Sequence, residues 1–139
     1  MTLLVTGCMA IAVLLILGTV VATSAQLARV QLLDVVDGAA LDAADALDAR
    51  AYEQGLDDAV AISDATVWES ATGYLGDRDR PSRVTVWGIE AGTGTPDGTT
   101  AVVVVTGRVE LPVVGPLLDA VGSSVTITVR GSARAGLVG

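Results

Sequence analysis

From Leu3 to Ala25 the chain reads LLVTGCMAIAVLLILGTVVATSA, a run of apolar, small and hydroxyl residues, and the first charged side chain is Arg29. As a helix rising about 1.5 Å per residue this run is roughly 35 Å long, against a bilayer hydrocarbon core of about 30 Å. The run therefore predicts a membrane-spanning helix over residues 1–28. A cleaved secretory signal has an apolar core of about 7 to 15 residues behind a basic start, and this run is longer with no basic residue before it. Gly7, Ala10, Gly18 and Ala22 would allow close approach of another helix, although such residues are also ordinary in membrane spans. Neither flank is rich in Lys or Arg, so charge encodes the orientation only weakly.

Val5-Thr6-Gly7-Cys8 has the form of a lipoprotein cleavage box. In such a signal the apolar run precedes the box, whereas here most of the run follows Cys8. The cysteine is read as a small hydrophobe within the span.

The remaining composition narrows the function classes. The 139 residues include 8 basic side chains, all Arg, with 16 Asp and Glu and no His, for a net charge of -8. Without His or Lys, a Ser or Asp nucleophile lacks its ordinary activators, and no two acids stand out as a catalytic pair. One Cys and no His exclude a zinc cluster and an internal disulfide. An acidic chain without a basic patch does not neutralise phosphates. The expectation is a non-enzyme, with no catalytic residue, cofactor, metal, nucleic acid or small-molecule substrate.

From Gln26 to about Ile62 the sequence is rich in Ala and Leu and free of Pro, which favours continuation of the helix. Asp34, Asp37, Asp42, Asp45 and Asp48 share one arc at about 100° per residue, with Leu33, Val36, Ala40, Ala43, Leu47 and Ala51 opposite. Leu41 violates this pattern by falling among the acids. Gly38 lowers helix stability by about 1 kcal/mol relative to Ala, so a break or bend is expected near it or near Gly55. The acids spread over several turns, as on a solvated face, rather than converging as metal ligands do. The aliphatic stripe of Leu33, Val36, Ala40, Ala43 and Leu47 is the candidate helix-packing seam. It fits either another subunit or this chain's own sheet.

Residues 64–76 read as a further helical turn or a loop, with Trp68 and Tyr74 as its aromatic bulk. Asp77-Arg78-Asp79-Arg80-Pro81 reads as a solvated turn, since its Asp-x-Asp spacing lacks the Gly and closing Glu of a calcium loop. Arg83 to Glu90 alternates, with Val84, Val86 and Gly88 assigned to one face and Thr85, Trp87 and Ile89 to the other. Pro96-Asp97-Gly98 marks a turn before a second strand, Thr100 to Leu111, whose run Val102 to Val105 implies burial on both faces. Pro112 and Pro116 break the next stretch, with room for a helical turn around Leu117 to Val121. Alternation returns over Ser123 to Ala135, with Val125, Ile127 and Val129 on one face. The predicted fold class is α+β: a long N-terminal helix packed on an antiparallel sheet of about three strands. Three segments are expected: a span at 1–28, an amphipathic stalk at 29–62 and a strand-rich unit at 63–139.

The Leu-Ala-Asp helix following a membrane span (Asp37-Gly38-Ala39-Ala40-Leu41-Asp42-Ala43-Ala44-Asp45-Ala46-Leu47) resembles the N-terminal half of TadE/TadG-like pilus-assembly proteins. The stretches Val102 to Pro116 (VVVVTGRVELPVVGP) and Ser124 to Ala135 (SVTITVRGSARA) are similar to that family's last strands, in the same order. The resemblance implies a pilin-like fold and a minor-pilin-like role in the tight-adherence (type IVc) pilus. It also implies single-pass anchorage in the cytoplasmic membrane, the C-terminal part outside, and the bilayer and other pilin-like subunits or assembly machinery as partners. Pilin leaders place a Glu about five residues after the cleavage site, where this chain has Val5, so no processing residue is carried over; either processing does not occur or Met1 is an internal start. The competing expectation is a single-pass accessory protein that binds a soluble or envelope partner without entering a filament.

Overall fold

A computed structural model of the chain describes residues 1–54, 64–111 and 124–136. Helix α1 (Thr2–Gln54) is followed by helix α2 (Asp64–Asp77) and strands β1 (Val84–Ile89), β2 (Thr100–Glu110) and β3 (Ser124–Arg134). The strands form one antiparallel sheet in the order β1-β2-β3, and α1 packs on it, an α+β fold. Residues 55–63, 112–123 and 137–139 lie outside the described residues, as do the expected break or bend at Gly55, the end of the helix at Ile62 and the turn at Leu117 to Val121.

α1 is 53 residues long, roughly 80 Å of continuous helix. Its hydroxyl side chains do not interrupt it, because Thr6, Thr19 and Thr23 donate to the carbonyls of Thr2, Leu15 and Thr19 at 2.8, 2.7 and 2.9 Å. Each back-bond satisfies a donor that hydrocarbon could not. The expected break at Gly38 does not occur. The glycine instead makes room for α2. A Cβ at position 38 would collide with the Tyr74 hydroxyl oxygen and lie 2.9 Å from its Cζ.

The segment left open between turn and loop at 64–76 is a helix, α2. It runs antiparallel to α1, since Tyr74 meets Gly38 while the Ser70 hydroxyl, nearer the start of α2, donates to Asp42 Oδ2 at 2.7 Å. Val67, Ala71 and Leu75 recur at four-residue spacing and bury against the core, whereas Trp68 is exposed. The Arg78 guanidinium lies 4.8 Å from the centroid of the Tyr74 ring, covering its solvent side.

The core joins Leu32, Val36, Ala39, Ala43 and Leu47 of α1 to Val103, Val105 and Val129 of the sheet and to the buried face of α2. Small residues on α1 bring backbones close, and the sheet answers with a glycine. A Cβ on Gly131 of β3 would sit 2.9 Å from Val36 Cγ1 and 3.0 Å from the Val36 carbonyl oxygen. At the end nearer the apolar run, Ala28, Val84 and Val109 form a second cluster with Trp87 and Ile127 against it.

β1 departs from strict alternation. A register shift between Val84 and Val86 inserts a bulge, so Val84 is buried with Trp87 and Ile89 packed behind it, while Val86 is exposed. Val84 and Val86 therefore do not share a face, because one extra residue in the strand reverses the direction of every later side chain.

The Val102 to Val105 run is buried on both faces at Val102 and Val103, as expected. Ala101, Val103 and Val105 face α1, while Val102 is buried on the opposite side; the 90–95 segment pairs with the edge of β2 beyond the end of β1. Gly94 and Val102 exchange both backbone hydrogen bonds at 2.9 Å, and the Val104 N–H donates to Thr93 Oγ1 at 3.0 Å. Two carboxylates hold this loop. Asp64 Oδ1, at the start of α2, accepts the Thr95 N–H at 2.8 Å. Asp97 accepts the N–H groups of Thr99 and Thr100 at 3.0 and 2.6 Å and the Thr100 hydroxyl at 2.8 Å. These donors stabilise the ionised form and lower the Asp97 pKa from 3.8 to about 2.

Candidate membrane anchor and helix-packing face

The five residues of the candidate seam lie on the covered side of α1. Val36, Ala40, Ala43 and Leu47 are fully buried, and Leu33 is partly buried against the same cluster. All of that cover comes from within the chain, from the sheet and α2. The stretch read as a stalk is over residues 32–47 one wall of the core.

The opposite arc of α1 is the one turned to the outside. Leu27, Val30 and Leu41 are 49, 60 and 60% exposed, and Asp34, Asp37 and Asp45 are exposed between them. At about 100° per residue these six fall within an arc of roughly 80°. Spacings of three, four and seven residues join Leu27 and Val30 to Val20, Ile16 and Val13 in the apolar run, all of them exposed. One stripe therefore runs from the apolar run onto the part of the helix that packs on the sheet, the pattern used by helices that pack lengthwise on another helix. The sequence carried a signal for it in Leu41, the residue that broke the acidic arc. Burial of the aliphatic stripe in the chain's own core is what leaves Leu41 as the apolar group available to a neighbour.

Toward the N-terminus nothing in the structure covers the apolar run. Every side chain from Met1 to Ile16 is exposed, and the first buried one is Ser24. α1 is long and apolar enough to cross a membrane, and its most apolar stretch has none of its residues inside the folded unit. Burial of large aliphatic side chains is worth about 1.5–3 kcal/mol each, so this surface calls for a bilayer or another apolar partner. Cys8 lies exposed within it.

Among the described residues, no three His, Cys, Asp or Glu side chains converge as for a metal ion. Asp77 and Asp79 are exposed at the end of α2, where the neighbouring Arg80 guanidinium donates to the Thr85 carbonyl. The structure thus defines an α+β protein with one N-terminal helix long and apolar enough to cross a membrane and an acidic, Leu-studded outer face on the same helix. Comparison with protein-family models, curated proteins and solved structures gives no match.

Proposed function

We propose that this protein is a membrane-anchored, minor-pilin-like structural subunit that acts in assembly or initiation of a tight-adherence (type IVc) pilus. The observation that carries the reading is the unbroken α1. The helix that would cross the bilayer also forms the wall of the folded unit and carries one exposed stripe through both regions. A subunit that packs into a filament through its helix needs that continuity, since a flexible joint would leave the folded unit free to rotate about its anchor. The resemblance of the Asp37 to Leu47 and Val102 to Pro116 segments to TadE/TadG-like proteins supports the same role. In this reading the protein passes once through the cytoplasmic membrane with its sheet and α2 outside.

Deletion of the gene tests the proposal. Loss or shortening of surface pili is the expected outcome, with the protein recovered in the membrane fraction of the parent strain. Normal piliation in the deletion strain overturns it. Cross-linking from position 30 or 41 adds a positive criterion. Adducts containing pilin indicate a filament role, while adducts with a soluble envelope protein alone indicate an accessory tether.

A further inference from the structure

We infer that the solvent face of the sheet in one copy of this chain docks laterally on the acidic outer face of α1 in a second copy, in a repeating head-to-tail row. The inference rests on the membrane anchorage proposed above and is independent of any filament machinery.

The two faces lie on opposite sides of the folded unit and differ in charge. α1 covers the inner face of the sheet with its buried arc, so its Asp34 and Asp45 point away from the sheet, whereas the Asp37 carboxylate lies beside Gly131 of β3. On the sheet's other side, Arg108, Arg130 and Arg134 are exposed, three of the eight basic residues of the chain. Val86 adds an exposed apolar group, and the hydroxyls of Thr106 and Thr128 pair across β2 and β3 at 2.9 Å. Glu90 and Glu110, both exposed, follow the end of β1 and close the end of β2.

Spacing and height are compatible. Arg130 and Arg134 are four strand residues apart, roughly 13 Å. Asp34 and Asp45 are eleven helix residues apart, roughly 16.5 Å, a difference that two long arginine side chains span. Gly131 lies against Val36 and Ile127 packs by Ala28, so β3 runs in the same direction as α1 and Arg130 comes near the level of Asp34 along its axis. Two copies standing side by side in one membrane therefore present the arginine pair and the aspartate pair at comparable distances from the bilayer. Leu41, between the aspartates, would face exposed Ser132, between the arginines.

Symmetric pairings are disfavoured by the same charges. Two α1 outer faces would oppose Asp with Asp, and two sheet faces Arg with Arg, and like-charge juxtaposition at an interface costs several kcal/mol. Contact between unlike faces is heterologous, so each copy keeps one face open and the row extends or closes into a ring.

Disulfide trapping in native membranes tests this on the full chain with Cys8→Ser. The Leu41→Cys, Ser132→Cys double variant is expected to give a ladder of dimers and higher species on oxidation, while neither single variant does. Arg130→Glu with Arg134→Glu should lower the yield about tenfold, as for two reversed surface contacts. Mixing that chain, carrying Ser132→Cys, with an Asp34→Arg, Asp45→Arg chain carrying Leu41→Cys should restore it. Efficient cross-linking of Leu41→Cys to itself, no ladder from the double variant, or a yield indifferent to charge reversal overturns the inference. Alkaline extraction of the same membranes reports on anchorage separately, so the two readings fail distinguishably.

Discussion

The Tyr74 hydroxyl lies in the notch that Gly38 leaves on α1, with no space for a single methyl group between ring and helix. Two requirements meet at this glycine. Helix propensity asks for Ala at position 38, and the packing of α2 forbids it. Gly38→Ala is therefore expected to lose up to about 2 kcal/mol, an overpacking cost of about 1–3 kcal/mol less the gain of about 1 kcal/mol in propensity. In a Tyr74→Ala background the same substitution should become stabilising by about 0.5–1 kcal/mol. Urea unfolding of the four chains in the cycle checks the reversal of sign.

Leu41 and Leu47 lie on the same helix, six residues apart, with opposite surroundings. Leu47→Ala removes a fully buried side chain and should cost about 2–5 kcal/mol. Leu41→Ala should leave unfolding within about 0.5 kcal/mol of the parent while weakening association with a neighbouring helix or sheet. Thermal unfolding and cross-linking yield, measured on both variants, separate the two roles.

Asp97 makes the fold sensitive to strong acid. Its pKa is lowered on folding, from 3.8 to about 2, so the folded state binds fewer protons than the unfolded one in this interval. The contribution of the Asp97 turn is complete above pH 3.8 and is lost as the pH falls through about 2. NMR titration of the Asp97 carboxyl should give a midpoint below those of ordinary aspartates, and Thr100→Ala should raise it.

Charge placed in the middle of the apolar run tests the anchor without touching the core. Leu14→Arg is expected to disfavour insertion by about 2.5–3.5 kcal/mol. Leu41→Arg, on the aqueous part of the same helix, should leave insertion unchanged. The fraction resisting alkaline extraction compares the two.

Much of the architecture was legible because it rests on periodicity. The alternation of β3 and the aliphatic stripe of α1 each report a face directly. The Val102 to Val105 run was legible as buried on both faces, which Val102 and Val103 are, while Val104 is only partly buried. Three features were not legible, each for a physical reason. The bulge at Val84 to Val86 depends on how β1 meets β2, which local alternation does not contain. The uninterrupted helix at Gly38 depends on Tyr74, 36 positions away. The stripe could be read as apolar, but whether it met this chain or another depended on the placement of the sheet. Of the candidate face, only the anomaly at Leu41 was visible beforehand.

The continuity of α1 has a mechanical consequence. Force applied to the anchor along the helix axis reaches the sheet as shear, because β3 lies lengthwise against the same helix at Val36. Sliding α1 past the strands would drag the Val36 carbonyl across Gly131 and pull Tyr74 from its notch together, so resistance is shared along the whole contact. The folded unit would hold under tension as a lap joint does, yielding in one cooperative event.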